Sequence, residues 1–493
     1  MRRSGMRRPD SDRFRPCLCI GVGPGMRRSG LTDSTQEQRA APSSSAEQVS
    51  AATVSELLRS RRYRVLLVAC AFLGVVVAVA CWAFLELVHA IQQGVYVHLW
   101  SGLGFTSEPW WWPLPPLAVA GVAIAIAVVK LPGHGGHEPS EGLQPGSPTA
   151  PIDLPGVLLA AVATVALGLV LGPEAPVLAL GSGIALFLSG LPRRTMPDQG
   201  KQVLAAAAAF AALATIFGSP VIGTVIIIEA AGLGGATLPV VLLPGLIAAG
   251  FGSLVFIGVG SLTGLSTKAF ALPPLSLPSY PSPRVSDFLW TIALAIVAAI
   301  VTFAVITFAK QTRLLVGRRP MLMYPAAALL VGGVAIGFAE ITGQSSNAVL
   351  FSGQDAMSSV LKQAGTLSLG TLALLLVFKS VAWGVSLAAA RGGPTFPAIF
   401  LGLVGGLLAL HLPGFAETPA IGVLVGAAVV SVLRLPLSSI VLALLLTGGS
   451  AGVAPLIIVG VAVAYLVTLA LAVRTRQHHQ GVAESRSHTA ADA

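Results

Sequence analysis

The sequence predicts an all-α polytopic membrane protein built from two related halves, and three observations carry that prediction. First, 54% of the 493 residues are hydrophobic and 10% are charged, with a mean hydropathy of +0.83, whereas soluble domains carry about 25% charged residues. Second, charge-free apolar stretches recur at 65–85, 203–228, 288–309, 320–339 and 435–473. A spanning helix needs roughly 20 apolar residues, so the last stretch holds more than one segment and the chain about ten or more, of unequal length. Third, a ten-residue pattern, G-P-x-x-P-x-x-x-L-G, occurs twice. It reads Gly172-Pro173-Glu174-Ala175-Pro176-Val177-Leu178-Ala179-Leu180-Gly181 and Gly393-Pro394-Thr395-Phe396-Pro397-Ala398-Ile399-Phe400-Leu401-Gly402.

In each copy a Gly/Pro break interrupts an apolar stretch and a new helix begins at the break. Irregular backbone at membrane depth is tolerated only where protein buries it or a cavity receives it. Broken helices at matching positions of two halves point to a transport site near the bilayer midplane. Half-helix N-termini carry unpaired N–H groups and partial positive charge, so two of them aimed at one point make an anion site without a basic side chain. Glu174 is the one acidic residue in the two motifs. A carboxylate placed where an anion should bind competes with that anion, and so reads as a gate.

In chain order, residues 1–57 are rich in Arg, Ser, Pro and Gln and read as a disordered basic tail. The first half spans 58–260, a loop follows at 261–284, the second half spans 285–473, and 474–493 form a short tail. Each half runs from its broken helix to a Pro-started helix. The intervals are 44 residues from Pro176 to Pro220 and 39 from Pro397 to Pro436. Trp110, Trp111 and Trp112 open an apolar run, where Trp anchors at the membrane interface. Lys379 lies inside an apolar segment and needs a partner or a water-lined cavity at that depth.

The net charge of +10 does not point to nucleic acid, because 13 of the 30 Lys and Arg lie in the first 64 residues and no aromatic interleaving accompanies them. A basic flank beside the first span, with Arg474 and Arg476 after the last, places both termini in the cytoplasm of a cell-membrane protein. No secretory signal peptide is expected ahead of the long first apolar run. Cys17, Cys19, Cys70 and Cys81 give no disulfide framework or metal spacing. His134, His137 and Glu138 form a rival cluster for an intramembrane metal site. The two His are three apart among glycines, whereas a helical zinc site places them four apart. No enzymatic constellation and no cofactor are expected.

With these residues assembled, the chain resembles the CLC family of chloride channels and proton-coupled anion antiporters over roughly residues 60–473. The family's G-R/K-E-G-P motif is matched by Gly172-Pro173-Glu174-Ala175-Pro176. Its second filter motif is matched by Gly392-Gly393-Pro394-Thr395-Phe396-Pro397, with the Phe one place later. Its later turn and Glu-terminated helix are matched by Phe217-Gly218-Ser219-Pro220 through Glu229, and a basic residue upstream of the second filter by Lys379. The family's G-S-G-I-P loop aligns weakly with Gly135-Gly136-His137-Glu138-Pro139.

The resemblance implies an inverted repeat whose broken helices meet at mid-membrane, a homodimer in the lipid bilayer, a small inorganic anion such as chloride as cargo, and Glu174 as gate. It implies an anion site drawn from Gly172, Ala175, Gly136, His137, Gly393, Thr395 and Phe396. Several family features are altered. The filter Ser falls on Gly136 or His137, the late Tyr has no counterpart, and Pro394 removes a backbone donor. The inner Glu of the antiporters falls on Ala230, leaving Glu229 as a substitute proton donor. Channel-like conduction is the expectation, with proton-coupled antiport as the alternative. The short C-terminal tail leaves no room for the regulatory nucleotide-binding pair of many relatives.

Overall fold

The computed structural model describes Glu56 and residues 59–491, except 145, 191–196, 233–236, 264–271 and 273. Apart from Glu56, the tail expected over 1–57 lies outside these residues, as do Cys17 and Cys19. The described residues form helices joined by loops, with no strand among them. We number the main helices α1 Arg61–Gln93, α2 Leu114–Lys130, α3 Leu154–Ala166, α4 Glu174–Ser189, α5 Asp198–Phe217, α6 Pro220–Ala230 and α7 Thr237–Thr263 in the first half. The second half holds α8 Val285–Val316, α9 Pro320–Thr342, the short α10 Ala356–Lys362, α11 Leu369–Ala389, α12 Thr395–Ala409, α13 Glu417–Leu433, α14 Pro436–Leu446 and α15 Ala454–Ala491. The last helix runs on past Arg474, where the sequence suggested a tail. Among the described residues, seven helices are long and apolar enough to cross a membrane, and several others are too short to cross alone.

The two halves correspond helix by helix. α1 packs on α7 as α8 packs on α15, α5 on α7 as α13 on α15, and α4 on α5 as α12 on α13. α6 and α14 are each 11 residues, and each begins with Pro at its first position, where a missing N–H costs nothing. Ahead of them the chain turns through a left-handed residue, Gly218 at φ 64° in one half and Arg434 at φ 58° in the other. The halves are joined antiparallel at their breaks. Gly172 N–H donates to Gly393 O at 2.8 Å, and Gly393 N–H returns the bond to Gly172 O at 2.7 Å. Such a reciprocal pair is what an inverted repeat produces where its two copies meet.

The closing Gly of each ten-residue motif has a packing role. A Cβ on Gly402 would run into the Val425 backbone of α13, and one on Gly181 would press on Ala208 O of α5. Small residues let membrane helices approach closely, and close approach is the main source of attraction between helices in lipid. The Ala-rich α5 is buried along most of its length, whereas α8 presents Val285, Leu289, Val297 and Ile300 outward, as a lipid-facing helix does. Trp110 is exposed, but Trp112 is buried and donates Nε1–H to Val95 O at 3.1 Å, so only part of the Trp cluster is free to anchor at an interface. Cys70 and Cys81 are free and buried.

Candidate anion site

The bridged glycines set two helix N-termini side by side. Pro173 caps α4 at φ −84°, ψ 4°, and Pro394 caps α12 at φ −88°, ψ −6°, so Glu174 and Thr395 are equivalent first residues of equivalent helices. The Glu174 side chain crosses to the other copy. Its Oε1 accepts from Thr395 N–H at 2.7 Å and from Phe396 N–H at 3.2 Å. Glu174 is fully buried, and its Oε2 has no hydrogen-bond partner. The carboxylate thus rests on the first N–H groups of α12 while starting α4, a position both helix dipoles favour. Phe217 stacks on the Phe396 ring at 5.6 Å and closes one wall of the junction.

Both glycines must lack a side chain. A Cβ on Gly172 or on Gly393 would collide with the Glu174 carboxylate. Their own N–H groups bond to the opposite carbonyls across the bridge, so the two residues border the Glu174 carboxylate without donating to it. Ala175 lies next to Glu174 in the first turn of α4 and is half-buried. Pro394 contributes no donor, so the second filter offers Thr395 and Phe396 N–H alone at the carboxylate.

Gly136 and His137 are placed differently from the expectation. Gly136 abuts Val157 of α3, and His137 is exposed, with Nε2 at 3.3 Å from Ser147 O. Neither bonds to Glu174, Thr395 or Phe396. Glu138 reaches 175 residues along the chain to form an ion pair with Arg313 of α8. His134 is exposed in a left-handed conformation at φ 50°. The three members of the rival metal cluster therefore face different partners, and no group of three metal-ligating side chains gathers among the described residues.

Glu229 sits at the end of α6, away from the filter. Its carboxylate accepts from Leu437 N–H at 2.8 Å, Ser438 N–H at 2.7 Å and Ser438 Oγ–H at 2.6 Å. It thus caps the N-terminus of α14, the helix equivalent to its own, and satisfies donors that no helix can satisfy internally. Lys379 is fully buried at the middle of α11. Its ammonium donates to the carbonyls of Ala348, Val349, Leu350 and Phe351 at 3.0–3.3 Å and lies 4.4 Å from the centroid of the Phe400 ring. The partner that the sequence demanded is a stretch of backbone carbonyls, 348–351.

Sequence reasoning missed Ser386 and Arg391. Ser386 Oγ receives Val170 N–H at 3.0 Å and so ties α11 to the approach of the first filter. Arg391 lies two residues before Gly393 and is 7% exposed. A charged residue directly against a glycine pair in an apolar run was the available signal.

Residues 120–469 match the family model described as "Voltage gated chloride channel". The "Putative ion-transport protein YfeO" of Salmonella choleraesuis (strain SC-B67) is 28% identical over 358 residues, covering 72% of this chain and 82% of that protein. The protein of the same description in Salmonella typhimurium (strain LT2) is similar to the same extent. Among solved structures, a slow cyanobacterial Cl-/H+ antiporter superposes with a TM-score of 0.67 at 19% identity, covering 82% of this chain and 94% of that one. A CLC-type fluoride/proton antiporter superposes with a TM-score of 0.62 at 17% identity, covering 82% and 95%. These superpositions speak for the fold, and the family match spans most of the body that carries the paired filters. The chain belongs to the CLC family of anion-transporting membrane proteins.

Proposed function

We propose that the protein carries a small inorganic anion, chloride, through a pathway at the α4/α12 junction that Glu174 gates. The observation that carries this reading is the Glu174 carboxylate held on Thr395 and Phe396 N–H with its second oxygen unpartnered. An anion arriving there takes the same two donors once the side chain swings away or gains a proton. Hydrogen bonds to a charged group contribute about 1.5–3 kcal/mol each, so a carboxylate and an anion compete on comparable terms.

Conduction without obligatory proton exchange fits the position of Glu229. Ala230 stands where the antiporters of the family carry their inner Glu, and the Glu229 carboxylate is engaged by three donors at the head of α14. Proton-coupled antiport is the second reading, and the two antiporter structures with the same fold favour it. As a member of this family the protein is proposed to act as a homodimer in the cell membrane. Arg313 in the last turn of α8, with Arg318 and Arg319 in the turn after it, would then lie with both termini on the cytoplasmic side.

Purified protein in liposomes, loaded with chloride and followed for anion efflux and proton movement together, tests the reading. Glu174→Gln is expected to conduct with little dependence on external pH, and retention of the native pH dependence would remove Glu174 from the gate. Uphill proton movement driven by a chloride gradient would decide for antiport.

A further inference from the structure

A buried guanidinium without a counter-ion stands beside the filter. Arg391 connects the end of α11 to Gly393, and its N–H is held by Thr164 Oγ1 at 3.1 Å. Its Nη1 donates to Ala390 O at 3.0 Å, its Nη2 reaches Tyr324 Oη only at 3.4 Å, and its Nε has no partner. No carboxylate lies within ion-pairing distance of it among the described residues. Arg313 is near enough for its positive charge to oppose that of Arg391, and the one carboxylate paired here, Glu138, goes to Arg313. An arginine does not escape burial by losing its proton, and a buried charge is costly unless paired. The missing charge is negative.

The location suits a mobile ion. Gly135, at φ 75°, faces the Arg391 stem so closely that a Cβ would lie 3.3 Å from Arg391 Cγ. The loop that the family uses for a serine hydroxyl here meets a guanidinium instead. The free edge of that guanidinium is Nε together with the weakly engaged Nη2. Two parallel N–H groups of this kind match two oxygens of one oxyanion and also hold a single halide.

We propose that Arg391, with Tyr324 and Arg313 beside it, binds a second monovalent anion next to the filter, and that nitrate binds there at least as tightly as chloride. The proposal rests on the anion-transport reading of the Glu174 site, and the two fail separately in one measurement. Purified full-length protein in detergent with gluconate as background anion is titrated calorimetrically with sodium chloride and, in parallel, sodium nitrate. Native protein, with its filter occupied by Glu174, is expected to bind one anion per chain. Glu174→Gln should add a second, and Arg391→Met should subtract the first, lowering its affinity at least tenfold. If Glu174→Gln adds none, the gate reading fails while the Arg391 site stands. If Arg391→Met stays folded and binds both salts as the native protein does, the Arg391 site is wrong. Arg391→Lys covers the case in which the methionine variant does not fold. It keeps the charge and loses the fork, so the nitrate-to-chloride affinity ratio must fall, and an unchanged ratio overturns the proposal.

Discussion

Lys379, at the middle of α11, and Arg391, two residues past its end, are both buried and both cationic, and the structure treats them in opposite ways. The Lys379 ammonium has four carbonyl acceptors and an aromatic face. The Arg391 guanidinium has one short backbone contact, one long hydroxyl contact, the Tyr324 ring centroid at 6.0 Å and a bare Nε. A satisfied charge fixes structure, because every group around it is arranged for it and for nothing else. An unsatisfied one is open to a ligand. The difference separates a residue that positions the filter from one that can serve what passes through it.

Removing the satisfied cation should have the largest effect. Lys379→Met leaves four carbonyls of the 348–351 segment without their donor, and stability should fall by about 1–3 kcal/mol for each buried acceptor left unsatisfied. Loss of a monodisperse folded peak in detergent, or a sharply lower melting temperature, is the expected reading. An unchanged melting temperature would break the comparison at its first term.

Phe400→Leu tests the aromatic share of the same arrangement. With the Lys379 ammonium 4.4 Å from the ring centroid, the loss should be roughly 1–2 kcal/mol. A cost no greater than that of Phe378→Leu, measured by the same melting curves, would show that the ring contributes bulk alone.

Arg391→Met should cost little or even stabilise the protein in gluconate, since exchanging a poorly paired buried ion for an apolar side chain is often neutral or favourable. The contrast appears on adding nitrate. Native protein held at a hundred times its dissociation constant should gain about 2.7 kcal/mol, and the variant close to none. Equal nitrate stabilisation of the two would erase the distinction between the cations.

Tyr324→Phe is the smallest change. It removes a 3.4 Å contact to Nη2 and should shift stability by about 0.5 kcal/mol, with anion affinity nearly retained. A large loss of affinity would move Tyr324 from neighbour to ligand.

Much of this architecture was legible in the chain because its cause is local. Gly172-Pro173 and Gly393-Pro394 break helices wherever they occur, and Pro220 and Pro436 start them, so the duplication could be read from punctuation alone. The carboxylate among half-helix N-termini was legible for the same reason. What decides the roles of the other charged residues is tertiary. Glu138 looks like a metal ligand beside His134 and His137 until Arg313 arrives from 175 residues away. Glu229, read from the sequence as a substitute proton donor, also caps the head of α14, a contact made 208 residues along the chain. The solitude of Arg391 depends on which carboxylates fail to come near, and no local pattern records that. The N–H groups of Gly172 and Gly393 bond across the bridge, a pairing that only the meeting of the two copies creates.

That mutual bond also has a meaning in time. Gly172 leaves the ribosome 221 residues before Gly393. At about 5–20 residues per second it waits roughly 10–45 s for its partner. Throughout that interval the first half holds a broken helix in lipid with a bare N–H, a bare carbonyl and an acidic side chain, and no second helix end to receive them. The junction at Glu174 therefore does not exist during most of synthesis. A truncated first half would carry these orphaned groups permanently, so biogenesis depends on the insertion machinery, or on water retained at the break, to shelter the nascent segment until its counterpart is made.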